Sequence, residues 1–142
     1  MEYSNESILN GGDGDDILVL SYSNNNILDG GDGDDQIKLY GSSNQKIIFS
    51  GEFGHDVIEN KDLETYYSKN HIIILEDLNV DEVSFSLQYS FDLVINSLID
   101  SNNIITIQGQ FADYYKMSQL QFKEALLHKS SSKGLFSNII LR

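Results

Sequence analysis

Three aspartates are the residues of this chain best placed to do chemistry: Asp16, Asp35 and Asp56, each closing a glycine-rich acidic loop. Residues 11–19 read GGDGDDILV and residues 30–38 read GGDGDDQIK; residues 51–59 (GEFGHDVIE) keep Gly51, Gly54, Asp56 and Ile58. The aspartates recur 19 residues apart (16 to 35) and then 21 apart (35 to 56). Carboxylates and main-chain carbonyls are hard oxygen donors. A flexible ring of six to eight of them suits Ca²⁺, whereas Mg²⁺ demands a tighter octahedron. Glycine admits positive φ, so loop carbonyls can turn inward with no Cβ in the way. The candidate metal-site residues are Gly11, Gly12, Asp13, Gly14 and Asp16; Gly30, Gly31, Asp32, Gly33 and Asp35; and Gly51, Phe53, Gly54 and Asp56. Three stacked loops leave two gaps between them, so two calcium ions are expected. The side chains of Asp13, Asp15, Asp32 and Asp34 are expected to stay solvated, adding long-range attraction and no direct bond.

One GGDGDD could be an acidic hairpin turn. Two identical hexapeptides, a third partial copy and an aliphatic residue two places after each aspartate make a repeat instead. An EF-hand does not fit, because no D-x-[DN]-x-[DN]-G loop with a twelfth-position glutamate lies between helical patterns.

The elements that must hold these loops follow from the same repeat. The nonapeptide G-G-x-G-x-D-x-U-x, with U a large aliphatic residue, has weaker copies at residues 21–29 (SYSNNNILD) and 41–49 (GSSNQKIIF). The first keeps Asn24, Asn26 and Leu28. The second keeps Gly41, Asn44 and Ile48 and places Lys46 at the aspartate position. Each unit is a loop and a short strand, and two units make one turn. Loops one, three and five then stack on one edge, and loops two and four on the other. The second edge carries asparagine, which tolerates left-handed backbone, but no carboxylate. Leu18, Leu28, Ile37, Ile48 and Ile58 are expected to point inward in ladders.

From Glu82 the pattern alternates with period two. Val83, Phe85 and Leu87 oppose Ser84, Ser86 and Gln88; Leu93, Ile95, Ile105 and Ile107 follow. Antiparallel strands here would cap the last coil, whose rungs and unpaired backbone would otherwise be exposed. Residues 117–129 (MSQLQFKEALLHK) are the helix candidate. The expected organisation is coils over 1–60, a β-rich cap over 61–129 and a tail over 130–142.

The nonapeptides resemble those of RTX (repeats-in-toxin) proteins, which leave bacteria through type I exporters. Residues 71–122 resemble the segment that follows such repeats, through "EVSFSL" at 82–87, "DLVI" at 92–95 and "NIITIQGQF" at 103–111. Gln110 stands where relatives often have tryptophan, and two of the five repeats are complete. The resemblance implies an all-β fold: a right-handed parallel β-roll capped by antiparallel strands. It implies a calcium-binding module that folds on meeting extracellular Ca²⁺ and supports export and folding of an attached toxin, enzyme or adhesin. Its partners would be calcium, the exporter and upstream domains of the parent protein, and its location the medium or the bacterial cell surface. Relatives carry an uncleaved export signal at the extreme C-terminus; the Ser-rich tail from Ser130, ending in "LFSNIILR", is such a signal, a cap strand or the point at which a longer protein is cut.

Charge agrees with a cation binder. The net charge is −13, with 12 acidic against 2 basic side chains in residues 1–59 and 10 against 7 thereafter. Such a field repels nucleic acid and anionic lipid, and no apolar run reaches the ~18 residues of a membrane span. There is no cysteine, so neither disulfide nor thiolate site can form. Met1 to Asn10 has no basic n-region or apolar h-region of a signal peptide. No HExxH and no nucleophile with a base can be assembled from His55, His71 and His128, so no catalytic residue is expected. The competing class is a carbohydrate- or receptor-binding module, for which the pairs Tyr66–Tyr67 and Tyr114–Tyr115 could form a platform or serve as half-buried cap residues. A parallel β-helix enzyme would need many more coils.

Overall fold

A computed structural model describes residues 6–60, 70–89, 91–108, 119–122 and 138–141. Among the described residues the fold is all-β, arranged as two six-stranded sheets. Strands alternate between them because each short aliphatic run is followed by a loop of glycine or asparagine that reverses the chain. β1 (Ile8–Asp13), β3 (Ile27–Asp32) and β5 (Lys46–Phe49) pair in parallel in the first sheet. β2 (Ile17–Ser21), β4 (Gln36–Tyr40) and β6 (His55–Asn60) do so in the second. One coil therefore consists of a strand in each sheet. Leu9 pairs with Leu28 and Leu18 with Ile37, each one coil and nineteen residues on, while Ile37 pairs with Ile58 across the longer third loop.

The inward rungs are Leu18, Leu28, Ile37, Ile47 and Ile58, all nearly or fully buried. Removing each from water contributes roughly 1.5–3 kcal/mol. Ile47, rather than the expected Ile48, is the rung of the fourth unit; Ile48 is half-buried on the other face. In the same unit Gln45, not Lys46, matches Asn26 of the preceding coil, and Lys46 is exposed at the start of β5.

Both sheets run on past residue 60. β7 (Ile72–Leu75) continues the first sheet in parallel, followed by β11 (Gln119–Phe122) and β12 (Asn138–Leu141). In the second sheet β10 (Ile104–Gln108) joins β6 in parallel, and β9 (Asp92–Ser97) and β8 (Val83–Gln88) then add antiparallel. The expected antiparallel cap is thus confined to β8, β9 and β10, and the parallel stacking carries further than the repeats do. A 3₁₀ turn at Val80–Glu82 leads into β8, where the Glu82 carboxylate accepts the Asn79 N–H at 2.8 Å.

The helix expected over 117–129 is replaced at 119–122 by strand β11. β7 offers an unpaired row of N–H and C=O groups, and pairing there also buries Leu120 and Phe122. Residues 123–129 lie outside the described residues, as do Tyr66, Tyr67, Tyr114, Tyr115, Gln110 and His128. Within the tail, residues 138–141 form β12. Among the described residues no helix is long and apolar enough to cross a membrane.

Candidate metal centre

The loops 11–16, 30–35 and 51–56 stack on one edge, and the register is enforced by backbone contact. A Cβ on Gly31 would strike the Gly12 carbonyl, one on Gly33 the Gly14 carbonyl and one on Gly54 the Gly33 carbonyl. Gly31 also sits at φ +100°, where a side chain is strained regardless of space. The Gly14 N–H donates to the Asp32 carbonyl at 2.7 Å, tying the first loop to the second.

Along this edge Asp16, Asp35 and Asp56 form an inward column. Asp35 Oδ1 accepts the Asp16 N–H at 2.7 Å, and Asp56 Oδ1 accepts the Asp35 N–H at 2.7 Å. Asp35 and Asp56 are each 1% exposed. The second oxygen of all three, Oδ2, is buried without a hydrogen-bond donor among the described residues. A carboxylate in such a place has lost its hydration with nothing in return, which is costly unless a proton or a cation supplies the missing charge. Burial accordingly pushes the Asp35 carboxyl above its ordinary value; the Asp16 N–H opposes this, while Asp16, Asp15 and Asp29 push it further up. Asp56 is pushed up to about 8, first by burial and then by the charges of Asp35, Asp34 and Asp29, against the pull of the Asp35 N–H.

Asp15 and Asp34 are exposed, as expected, yet they bridge coils. Asp15 Oδ1 accepts the Asp34 N–H at 2.9 Å and Asp34 Oδ1 the His55 N–H at 2.8 Å. Asp13 and Asp32 are paired in register and exposed. Gly11 and Gly30 lie beside the inward carboxylates: the space a Gly11 Cβ would fill is flanked by the Gly30 carbonyl and, at 2.7 Å, Asp16 Oδ2, and that of Gly30 by Asp35 Oδ2. Gly51 departs from this pattern at φ +64°, donating its N–H to Asp77 at 2.9 Å. The Phe53 side chain packs in the core, edge-on to Phe49 with ring centroids 5.4 Å apart.

The opposite edge repeats the column with neutral groups. Asn26 Oδ1 accepts the Ser7 N–H at 2.9 Å, Gln45 Oε1 the Asn26 N–H at 2.8 Å, and His71 Nδ1 the Gln45 N–H at 3.2 Å. The residues just before them, Asn25, Asn44 and Asn70, hold φ of 60°, 56° and 51°, which asparagine tolerates. The one mark of Asn26, Gln45 and His71 in the sequence is the asparagine before each; 26 and 45 also share the nineteen-residue period. This edge shows what the fold itself requires at such a position: one acceptor per coil. A carboxylate supplies an extra oxygen and a charge.

The residues of the first edge fit a hard cation. Buried carboxylate oxygens without donors lie beside glycine loops whose carbonyls approach closely, and the donors are all oxygen. Among the described residues no three His, Cys, Asp or Glu side chains converge, so main-chain carbonyls would have to complete any coordination shell. Compared with models of known protein families and with curated proteins, the chain matches none.

Proposed function

We propose that this chain is a calcium-binding β-roll module of the RTX type, which folds on meeting extracellular Ca²⁺ and supports the export and folding of a protein to which it is attached. The observation that carries this reading is the column of Asp16, Asp35 and Asp56 with three donorless, buried Oδ2 atoms on one edge, set against a neutral column on the other. Without a cation, like charges are stacked from coil to coil and glycine loops are costly to order. Calcium held by Asp16, Asp35 and Asp56 and by loop carbonyls would cancel that repulsion. Its binding free energy would then appear as folding free energy. Extracellular calcium modules work at ~0.1–1 mM, far above cytosolic calcium. The chain would remain open inside the cell, pass an exporter as a thread and close outside. No catalytic step is assigned to it.

A calcium titration followed by circular dichroism tests the reading. Little β signal is expected in chelator, a cooperative gain at millimolar Ca²⁺, and no equivalent gain with Mg²⁺. The same β spectrum in chelator and in calcium would overturn it.

The sugar-binding alternative draws less support. A groove of about 520 Å³ crosses the outer face of the second sheet, near His55, Val57, Val94, Asn96 and Thr106, and among the described residues no tyrosine or phenylalanine ring lines it. Among the described residues the exposed aromatics are Tyr22, at the second edge, and Tyr89 and Phe91, at the β8–β9 turn. They form no row along a sheet face.

A further inference from the structure

The loop stack ends at residues 51–56, and the chain beyond supplies what a further calcium loop would have supplied. The turn at residues 100–103, between β9 and β10, closes through the Asn103 N–H, which donates to the Asp100 carbonyl at 3.1 Å. That turn brings the Asn103 side chain, 5% exposed, against the last loop. Asn103 Nδ2 donates to the Gly51 carbonyl at 2.9 Å, and Asn103 Oδ1 accepts the Gly54 N–H at 3.1 Å. The neighbouring Ile104 N–H donates to the Gly54 carbonyl at 2.8 Å. Asp77 takes the Gly51 N–H from another side.

Gly51 lies where this loop is two residues longer than the one before: the β3–β5 register, Asp29 with Ile48, sets Gly30 level with Phe49, and a Cβ on Gly51 would come nearest Asp32 Oδ1 at 3.8 Å. The Gly30 carbonyl and Asp16 Oδ2 both border the space that a Gly11 Cβ would fill, between loops one and three. The Gly51 carbonyl instead faces an amide N–H donor. A neutral amide thus closes the end of the stack: its nitrogen satisfies a carbonyl and its oxygen satisfies an N–H.

We propose that Asn103 is the terminator of the calcium stack, a built-in substitute for a cation that limits the bound ions to the gaps between residues 11–16, 30–35 and 51–56. This rests on the calcium reading above. Asparagine is the residue type that serves, because it presents a donor and an acceptor from one planar group. Aspartate would keep the acceptor for Gly54 N–H but would set an anion against the Gly51 carbonyl, an arrangement that a cation reconciles.

The test is the number of calcium ions retained by the full chain, counted by native mass spectrometry in calcium, for wild type, N103D and N102D. Asn102 is the exposed neighbour in the same turn and controls for added charge. Wild type is expected to hold two ions, N103D three and N102D two. An unchanged count in N103D, or a count raised equally in N102D, overturns the assignment. Wild type holding no ions defeats the calcium reading itself, which is a separate outcome. Should N103D fail to fold, N103A decides through hydrogen exchange in saturating calcium. The Gly54 amide is expected to exchange at least tenfold faster in N103A than in wild type, with the Asp16 amide unchanged. Equal Gly54 protection in N103A and wild type overturns the proposal.

Discussion

Asp35 and Gln45 hold equivalent posts on opposite edges of the coils: each accepts the main-chain N–H of the residue nineteen positions before it, at 2.7 and 2.8 Å. The acceptor role is the same; where Gln45 Nε2 donates to the Ser23 and Ser43 carbonyls, Asp35 has a negative charge and a second oxygen with no donor among the described residues. Asp35 is also the middle of three, so it borders both gaps.

That position predicts an order of effects. Asp35→Asn keeps the acceptor and removes the charge from both gaps, whereas Asp16→Asn and Asp56→Asn each impoverish one. The calcium midpoint for folding, read by circular dichroism, should rise from wild type to the outer variants to Asp35→Asn. The last shift should be at least tenfold, or about 1.4 kcal/mol. An Asp35→Asn protein that titrates like wild type would contradict a shared central ligand.

Acid should favour the metal-free fold. The Asp56 carboxyl lies near 8 in the fold against an ordinary 3.8, and Asp35 is raised as well. The folded chain keeps these protons where the unfolded chain has released them. The Asp56 contribution is fully present below about 3.8 and is lost as pH climbs towards 8, and that of Asp35 is lost in the same direction. In chelator, the small β signal by circular dichroism should be greater at pH 5 than at pH 8.5, and Asp56→Asn should flatten the difference. Protons and calcium compete, so the calcium midpoint should move to higher concentration in acid. A metal-free protein that gains stability as pH rises through this window would refute the assignment.

Ile47 and Ile48 separate the observed register from its neighbour. Ile47 is fully buried among the rungs and Ile48 is half-buried outside them. Ile47→Ala should cost ~2–5 kcal/mol in calcium, and Ile48→Ala markedly less. Chemical denaturation in saturating calcium measures both, and reversed magnitudes would mean the fourth unit is shifted by one residue.

Gly12 and Gly31 isolate close approach from backbone strain. Both have φ near +100°, but among the described residues a Cβ on Gly12 would meet nothing within 4 Å while one on Gly31 would strike the Gly12 carbonyl. Gly31→Ala should therefore destabilise the calcium-loaded fold well beyond Gly12→Ala, by more than the ~1 kcal/mol expected of a Gly-to-Ala change where the backbone suits only glycine. Equal losses would show that the loops are less tightly stacked.

The tail allows a cellular test. Residues 138–141 pair with β11, so deletion of residues 130–142 removes a strand whether or not it removes an address. Under the export reading, that deletion in the native protein should trap it inside the cell. Export at the normal level would leave the tail with its strand role alone.

The coil architecture is largely legible in the sequence because few folds other than stacked coils place aspartate and glycine at a near-constant period. Asp16, Asp35 and Asp56 fall on one edge as their spacing implies. The fourth unit is ambiguous in the sequence for a physical reason: Ile47, Ile48 and Phe49 are all apolar, so no alternation fixes the phase, and a slip of one exchanges the faces. The neutral column is hidden because Asn26, Gln45 and His71 share an acceptor and no residue type. Asn103 leaves no local mark, since its partners lie 49 and 52 residues away. The segment 119–122 reads as helix by composition and becomes strand because the edge of β7 needs a partner, a non-local demand.

The nineteen-residue coil period has a mechanical corollary. Stretched out, nineteen residues span roughly 60–70 Å, yet a stacked coil adds only about 5 Å to the height of its sheets. Each coil that closes therefore takes up more than ten times its own height in slack. Coils touch mainly their neighbours, so they can close one after another from an end. A thread emerging from a narrow opening would be drawn out in strokes of that length, and each closed coil would be too wide to slip back.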